Sequence, residues 1–338
     1  LHIPIYGAEA DSDVFFTVSA HQTRQAVRVT DRFMQAVADK QRFALRKRTD
    51  GEVSSQQQAS ELFDDIAHAA WATGEPTIQF ADAIAASHTC PETDSIRAST
   101  PASEYLFLDD TACPLATINL LACADSKGFI NTAMFSHVAR IASIMLDISV
   151  TMAQYPSRAM ARRTLDTRPI GLGLANFAPL VMRMGYAYDS DEACATAAAL
   201  TSLMTGETCA VSAELAKELG AFNEFAKNRR PFLQWIATRR DLLIRESEAA
   251  EKLHLEALPQ TALLDAAKRA WEIAFIKTEA YGVRNAQFSC IPPTTTIARV
   301  MDCDTLGLAP MHGLMRLDQK KLSADVNYGL QALGYSHS

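Results

Sequence analysis

The spacing of apolar residues along this chain is mainly helical. Residues 135–152 and 200–219 each carry apolar side chains at the intervals that line one face of a helix. The first stripe contains Phe135, Val138, Ile141, Met145, Ile148 and Met152, and the second contains Leu200, Met204, Val211, Leu215 and Leu219. Similar spacing predicts helices over about 27–38, 55–72, 168–184 and 260–281. We expect each apolar face to lie in the core, and Gly220 to mark the end of the second long helix.

Short β-prone segments lie between the predicted helices. They cover residues 43–45, 77–80, 105–108, 286–289 and 296–301. Strands that alternate with helices predict an α/β fold with mostly parallel pairing, in which helices cover the sheet. Residues 242–258 are charged and irregular, and we expect a surface connection there.

Composition fits a folded globular protein. The chain has 338 residues, of which 48% are hydrophobic and 21% are charged. This length permits one large domain or two ordinary ones. The sequence shows no repeat of fixed period and no low-complexity linker.

The charge distribution argues against nucleic acid and membrane partners. The formal net charge of −7 is spread along the chain, and the short basic groups at 46–48, 229–230 and 320–321 lack interleaved aromatic residues. No apolar run approaches the roughly 20 residues that span a bilayer, and the N-terminus shows no signal pattern. We therefore expect a cytoplasmic protein that binds neither nucleic acid nor membrane.

The cysteines and histidines do not predict a metal site. The seven cysteines are widely spaced without a CxxC pair, which argues against a zinc ribbon and against a secreted disulfide framework. Most of them are expected to be small buried thiols in a reducing compartment. The histidines likewise lack metal-ligand spacing. Those considered are His68, His88, His137, His254 and His312.

Two short motifs each allow two interpretations. The glycines of residues 171–176 could form a dinucleotide-binding loop, but Asn176 replaces the third glycine and no strand is predicted before them. We favour close packing of small residues within a helix over 168–184. The hydroxyl-rich segment 292–297 could present hydroxyl and N–H groups to a phosphate, or it could be a rigid turn leading into the segment 296–301.

Several stretches together resemble the large subunit of adenosylcobalamin-dependent (class II) ribonucleotide reductase. They occur in family order over nearly the whole chain. The matching stretches are "AVRVTDRFMQAV" (26–37), "AAWATGEPTIQFADAI" (69–84), "HTCP" (88–91), "SEYLFLDDTAC" (103–113), "RPIGLGLANFAPLVMRMGYAYDSDEA" (168–193), "RNAQ" (284–287) and "VMDCDTLGLAP" (300–310).

The resemblance implies a fold and a cofactor. The family fold is a ten-stranded α/β barrel of two half-barrels, with a finger loop that carries the catalytic cysteine into its centre. The resemblance therefore implies a partial barrel of this type with many covering helices, in which residues 1–338 form a single domain. We expect it to lack the family's N-terminal helical domain and first strands. It implies adenosylcobalamin, whose cobalt–carbon bond cleavage generates a thiyl radical that abstracts the ribose 3′-hydrogen.

The resemblance also assigns the positions of the finger loop. The family sequence Asn-Pro-Cys-Ser-Glu falls on residues 100–104, so Thr100 replaces the asparagine, Ala102 replaces the cysteine, and Glu104 is retained. An S–H bond can be opened by the cofactor radical and re-formed afterwards, whereas a methyl C–H bond is much stronger. Cys113 matches one of the two cysteines that deliver electrons, and its partner would lie on a strand that this sequence lacks.

The resemblance implies a substrate-binding segment as well. The family's phosphate-holding Pro-Thr-Gly-Thr-Ile appears here as Pro293-Thr294-Thr295-Thr296-Ile297, and Ser99 is also expected to contact substrate. Thr295 replaces the glycine, and its β-branched side chain is expected to crowd a bound phosphate. The threonine hydroxyls would partly compensate.

Three functional hypotheses remain open at this point. The first is a non-catalytic relative of the reductases that keeps nucleotide, cobalamin or protein binding. The second is one component of a split reductase whose partner chain contributes the missing strands and a cysteine. Such a partner chain, or a second copy of this chain, would cover the open strand edges of the barrel. The third is a decaying gene product, which the well-formed amphipathic helices disfavour. Changes at Thr100, Ala102 and Thr295 favour natural degeneration over a single designed substitution.

Overall fold

The computed structural model describes residues 23–252 and 260–311, and it divides the chain into two compact units. The described residues of unit 1 are 23–88 and 96–106. Those of unit 2 are 89–95, 107–252 and 260–311. The prediction that residues 1–338 form one domain stays a prediction.

Unit 1 contains two small sheets in its described residues. Strand β1 (Ala26–Val29) pairs in parallel with β4 (Thr77–Phe80), which places Arg28 opposite Gln79. The other two strands, β2 (Arg42–Arg46) and β3 (Val53–Gln58), pair with each other in antiparallel orientation. The helices of this unit are α1 (Asp31–Ala38), α2 (Ala59–Thr73) and α3 (Ala81–Ala86).

The core of unit 1 forms where α1 packs beside the hairpin. Phe33 of α1 is buried and meets Phe43 of β2 edge to face, with ring centroids 5.1 Å apart. The hydroxyl of Thr30 accepts a hydrogen bond from the Phe33 N–H at 3.2 Å and so caps the helix. The predicted helix over 27–38 therefore begins only after a strand, because Val29 pairs with Phe80 before the cap.

Unit 2 is mostly helical. Its strands are β5 (Leu115–Asn119) and β6 (Gly171–Ala175), and a short 3₁₀ helix covers Leu120–Cys123. Its α-helices are α4 (Thr132–Met152), α5 (Arg158–Thr167), α6 (Phe177–Arg183), α7 (Asp191–Leu219), α8 (Phe225–Lys252), α9 (Gln260–Tyr281) and α10 (Thr295–Val300). The predicted helix over 260–281 is confirmed, and so is the end of α7 before Gly220.

A parallel strand pair lies against these helices. Strand β5 pairs with β6 in the register Leu115 to Gly171, and Leu172 of β6 forms a further parallel bridge to Ser289. Across the described residues the strands form three two-stranded sheets and no closed barrel. The mixed α/β class and the mostly parallel pairing agree with the sequence prediction.

An aromatic cluster holds α8 and α9 together. Phe232, Trp271 and Phe288 are fully buried, and Trp235 joins them with its ring centroid 5.8 Å from that of Trp271. Phe232 meets Phe288 edge to face at 5.8 Å. Such contacts contribute beyond the area that they bury. The cluster therefore anchors the segment around Phe288, which includes the residue Ser289 that bridges to Leu172 of β6.

Helix α4 turns a different face to the core than its apolar stripe predicts. Ile141, Met145, Ile148 and Met152 are exposed, and Met152 keeps 77% of its surface. The buried face contains Phe135, Ala139, Ser143, Leu146, Asp147 and Val150. The prediction that the whole stripe lies in the core is wrong. Polar partners on neighbouring elements hold Ser143 and Asp147 inside.

The same helix is long and apolar enough to cross a membrane, judged by length and composition alone. A third of its most apolar 18-residue window is buried inside unit 2. The expectation that no apolar run reaches this length is therefore wrong for α4. Its buried ion pair through Asp147 and its packing against α7 are typical of a helix in a folded core.

The predicted helix over 168–184 is wrong in its first half. Residues 171–175 form strand β6, and the helix α6 begins only at Phe177. The prediction that small residues serve close packing is correct, because a Cβ on Gly173 would stand 2.6 Å from the carbonyl oxygen of Cys290. Asn176 turns the chain between strand and helix in the left-handed conformation.

Further segments differ from the prediction. The helix predicted over 55–72 begins only at Ala59, because Val53–Gln58 form strand β3, and the strand predicted over 286–289 contributes only the isolated bridge at Ser289. Residues 105–108 form no strand, although Phe107 and Leu108 are buried. Residues 295–300 form helix α10 in place of the predicted strand, since the chain turns after Pro293. Helix α8 extends to Lys252, so the predicted irregular connection is helical over 242–252, and residues 253–258 lie outside the described part.

The cysteines are mostly buried thiols, as predicted, and none of the seven, all of which lie in the described residues, forms a disulfide. Cys90, Cys123, Cys209 and Cys290 are buried, and Cys194 is exposed. Burial raises the pKa of the Cys90 and Cys209 thiols to about 12. These two thiols therefore stay protonated near neutral pH.

Candidate functional site

Residues 99–105 of unit 1 form a closed turn. The Thr100 N–H donates to the Tyr105 carbonyl oxygen at 3.2 Å, and the Thr100 hydroxyl accepts from the Tyr105 N–H at 3.0 Å. Within the turn, the Ser103 N–H donates to the Thr100 carbonyl oxygen at 2.9 Å. Thr100, which the resemblance places at a substrate-positioning asparagine, therefore uses both its main chain and its side chain to close the loop.

A pair of strand residues holds this turn in place. The Gln79 amide on β4 donates to the hydroxyl oxygens of Ser99 at 2.7 Å and Ser103 at 2.8 Å. Arg28 on β1 donates to the Gln79 side-chain oxygen and to the Ile96 carbonyl oxygen. Ser99 is therefore bound to the scaffold through Gln79. Arg28 and Gln79 are not among the residues predicted from the sequence, although polar residues in the middle of two short strands are a signal for such a role.

Ala102 lies at the exposed tip of the turn. Its N–H donates to the Glu104 carboxylate at 3.0 Å, so this carboxylate helps to close the loop that carries it. Ser103 has a positive φ of 57°, which fits a tight turn. The tip thus offers a methyl group, flanked by a hydroxyl and a hydrogen-bonded carboxylate.

Loss of the Gln79 side chain is expected to loosen the turn without unfolding unit 1. We expect Gln79→Ala to remove its two hydrogen bonds to the turn, together with the two that it accepts from Arg28. Loss of the two bonds to the turn is expected to speed hydrogen exchange at the Ser103 and Tyr105 amides by about 5- to 30-fold, from about 1 kcal/mol per bond. Mass spectrometry of peptides covering 99–105 measures this exchange.

The matched control is Gln35→Ala, which removes an exposed amide bonded to Asp39 on α1. This variant is expected to leave exchange in the turn unchanged. Equal exchange rates in both variants would show that Gln79 does not hold the turn.

Cys113 lies in unit 2, just before β5. Its Sγ is 3.2 Å from the point where a Cβ on Gly171 would stand, and the Cβ of Cys290 is 2.9 Å from the same point. Burial raises the pKa of the Cys113 thiol well above its ordinary value, and the neighbouring Cys290 raises it further. The retained cysteine thus has another thiol as its neighbour.

The hydroxyl-rich segment of unit 2 forms a turn that begins α10. Thr294 is buried, and its hydroxyl accepts from the Gly307 N–H at 2.9 Å. The Thr295 N–H donates to the Pro293 carbonyl oxygen at 2.7 Å. Thr295 and Thr296 are exposed. Of the four residues predicted to hold a phosphate, Thr294 has a structural role, while the hydroxyls of Thr295 and Thr296 face outward.

Asparagines at the carboxyl ends of β5 and β6 organise the chain beside that turn. The Asn176 amide donates to the Asn119 side-chain oxygen at 2.9 Å. The Asn176 side-chain oxygen accepts from the Asp304 N–H at 2.8 Å and from the Thr305 N–H at 3.3 Å. The carboxyl ends of parallel strands are common ligand-binding positions. Asn176, noted in the sequence only for replacing a glycine, therefore fixes the 304–305 turn.

A buried ion pair lies near the amino end of β6, at Arg168. The Asp147 carboxylate accepts from Arg168 Nε at 2.9 Å and from the Asn285 amide at 2.9 Å. The Asn285 amide also donates to the Arg168 carbonyl oxygen at 3.0 Å, and the Asn285 side-chain oxygen accepts from the Ser212 hydroxyl at 2.8 Å. The network joins α4, α7 and the residues before β6.

The described residues hold no group of three or more histidine, cysteine or carboxylate side chains that could bind a metal. Two of the histidines considered, His254 and His312, lie outside them. The finger-loop positions also do not fit adenosylcobalamin, because the radical chemistry of that group needs a thiol and residues 99–105 present none.

The comparisons with known proteins decide the family. The model of the ribonucleotide reductase barrel domain matches residues 8–328. This chain belongs to that family. Relatives named vitamin B12-dependent ribonucleotide reductase are 41% identical over 98% of this chain in Agrobacterium fabrum and 38% over 100% in Bradyrhizobium diazoefficiens. A third, from Streptomyces coelicolor, is 38% identical over 98%. The class II resemblance is confirmed.

The chain spans about a third or less of these reductases: 27%, 28% and 34% of their respective lengths. Within the reductase barrel, unit 1 carries Ser99, Thr100, Ala102 and Glu104 together on one turn. Unit 2 carries Cys113 and, separately, the turn at Pro293, Thr294, Thr295 and Thr296.

Proposed function

We propose that this chain is a non-catalytic member of the class II reductase family that keeps a nucleotide-binding role and does not carry out thiyl-radical reduction. The observation that carries this proposal is the exposed methyl group of Ala102 at the tip of the turn 99–105. No cysteine occurs in the sequence before Cys90, so unit 1 contains no thiol that could replace it.

The chemistry of the neighbouring groups supports the same proposal. A radical relay needs a bond weak enough to open and re-form, and the tip of the turn at Ala102, Ser103 and Glu104 offers only a methyl group, an aliphatic hydroxyl and a carboxylate. The Glu104 carboxylate is bound to the Ala102 N–H, and the Thr100 hydroxyl is bound to Tyr105. These groups can accept hydrogen bonds and hold protons, but they cannot store an unpaired electron.

The proposed nucleotide role rests on the exposed hydroxyls of unit 2. Thr295 and Thr296 face outward at the start of α10, and Gly307 is fixed beside them by the Thr294 hydroxyl. Hydroxyl and N–H groups in such a turn can bind phosphate oxygens. The Thr295 side chain replaces a glycine of the family, so the proposed affinity is weak and depends on this residue.

An activity assay and a titration test this proposal. The protein is incubated with adenosylcobalamin, dithiothreitol and ribonucleoside diphosphates or triphosphates, with the Agrobacterium fabrum reductase as positive control. We expect no deoxyribonucleotide above the protein-free blank. Calorimetric titration is expected to detect nucleotide binding that Thr295→Gly strengthens. Deoxyribonucleotide from the isolated chain would overturn the non-catalytic proposal, and flat titrations would overturn the nucleotide role.

A second candidate is one component of a split reductase. It is favoured by the strand edges of unit 2, since β5 has a partner on one side only among the described residues. Unpaired edges require another strand or a cover. Under this hypothesis the chain forms a complex with a separately expressed part of the Agrobacterium fabrum reductase that contributes the thiol missing at Ala102, and the mixture makes deoxyribonucleotide. Light scattering coupled to size exclusion measures the complex, and the assay above measures the product.

A further inference from the structure

Two cysteines from distant parts of the sequence adjoin one glycine of β6. Cys113 lies just before β5, on one side of Gly171, whose N–H donates to the Pro114 carbonyl oxygen at 3.1 Å. Cys290 lies on the other side, in a segment whose main chain pairs with β6. Its N–H donates to the Leu172 carbonyl oxygen at 3.0 Å.

The glycine lets the two side chains approach each other. A Cβ on Gly171 would stand 2.5 Å from Leu115 Cδ2, 2.9 Å from Cys290 Cβ and 3.2 Å from Cys113 Sγ, so any other residue would be in close contact with both cysteines and with Leu115. Both cysteine side chains therefore adjoin the same small volume above the strand. The register of β5 and β6 and the bridge at Ser289 hold them there.

We propose that Cys113 and Cys290 form a redox pair that closes to an intramolecular disulfide. With hydrogen peroxide as the oxidant, one thiolate attacks the peroxide and becomes a sulfenic acid, releasing one water. The second thiol then displaces a second water as the S–S bond forms. Two thiols and one peroxide thus give one disulfide and two waters, and a dithiol reductant reverses the change.

Accessibility sets the order of these steps. Cys113 is partly exposed, whereas Cys290 retains only 4% of its surface. Cys113 is therefore the thiol that meets the oxidant, and Cys290 resolves the sulfenic acid. Because the pKa of Cys113 is raised well above its ordinary value, little thiolate is present near pH 7. The oxidation is thus expected to speed up with rising pH and to show no plateau up to pH 9.

The test uses the full chain under conditions without nucleotide or cobalamin, so its outcome is independent of the proposed function. The reduced protein is treated with one equivalent of hydrogen peroxide at pH 7 and pH 9, blocked with N-ethylmaleimide, and digested with trypsin without reduction. We expect a peptide of residues 98–127 linked to residues 285–299, formed about a hundredfold faster at pH 9 than at pH 7, because the thiolate fraction of a largely protonated thiol rises tenfold per pH unit. Fragmentation must separate Cys113 from Cys123, which share the first peptide.

Variants and controls complete the test. Cys290→Ser and Cys113→Ala are each expected to abolish the link, whereas Cys303→Ser, at a partly exposed cysteine, keeps it. Circular dichroism verifies that each variant is folded, and dithiothreitol is expected to remove the link from the wild-type protein. A wild-type protein in which Cys113 is oxidised without linkage to Cys290, or is linked to another cysteine, would overturn the proposal.

Discussion

Replacing Asp147 with alanine is expected to lower the free energy of unfolding by about 3–5 kcal/mol. Asp147 and Arg168 are 4% and 5% exposed, and the carboxylate lies 2.8 Å from Arg168 Nη2. Without it, the guanidinium stays buried with only the Thr151 hydroxyl and a main-chain oxygen as acceptors. The Asn285 amide also loses one of its two acceptors. An unpaired buried charge costs far more than the pair itself contributes.

Urea denaturation followed by circular dichroism measures this loss. The control is Asp241→Ala, which removes an ion pair between Asp241 and Arg240 in which the carboxylate side chain is 54% exposed. Exposed pairs contribute at most about 1 kcal/mol, so this variant is expected to unfold near the wild-type midpoint. A similar small change in both variants would show that Arg168 finds other partners when Asp147 is absent.

The same network explains why the apolar stripe of α4 did not identify its buried face. The helical spacing of apolar residues correctly predicts that the segment is a helix, because this spacing is a local property of the segment itself. The face that is buried depends on partners elsewhere in the sequence: the Ser143 hydroxyl bonds to Thr208, and Asp147 bonds to Arg168. These contacts turn Met145 and Met152 outward. A local pattern contains no information on them.

The long helices α7 and α9 were predictable because their apolar positions pack against each other directly. Strand β6 could not be predicted from its sequence, because Gly171 and Gly173 have no side chains that would show the alternation of a strand. Their role is the close approach of the segment around Cys290, which lies more than a hundred residues away. The small residues predict close packing there, but their sequence is equally compatible with a helix, which was the wrong prediction.

The candidate site divides in a similar way. The resemblance located the turn at Thr100, Ala102 and Glu104, since short motifs survive in order along the chain. It could not locate Arg28 and Gln79, because their pairing arises only when β1 and β4 lie side by side. The proximity of Cys290 to Cys113 likewise could not be predicted from the sequence, because it arises only when the segment around Cys290 pairs with β6.

Gly173→Ala provides the sharpest test of that close approach. The added Cβ would stand 2.6 Å from the Cys290 carbonyl oxygen and 3.0 Å from Pro292 Cδ. The nearer atom belongs to the main chain and cannot rotate away, so the segment after Phe288 must shift. Overpacking of this kind costs about 1–3 kcal/mol or more, and we expect a loss at the upper end. Urea denaturation measures the loss.

Gly206→Ala is the matched control, because its Cβ would meet the side chains of Ala270 and Trp271 at 3.1 and 3.2 Å and would come no nearer than 3.3 Å to a main-chain atom of α9, the Trp271 nitrogen. Alanine gains up to about 1 kcal/mol over glycine inside a helix, which offsets the tighter contact in α7. Hydrogen exchange at the Cys290 amide separates the two variants further, since this amide donates to Leu172 across the crowded strand. We expect fast exchange there in Gly173→Ala and wild-type exchange in Gly206→Ala. Unchanged stability and exchange in Gly173→Ala would mean that the position of the segment around Cys290 does not depend on the absence of side chains on β6. The proximity of Cys113 to Cys290 would then lose its structural basis.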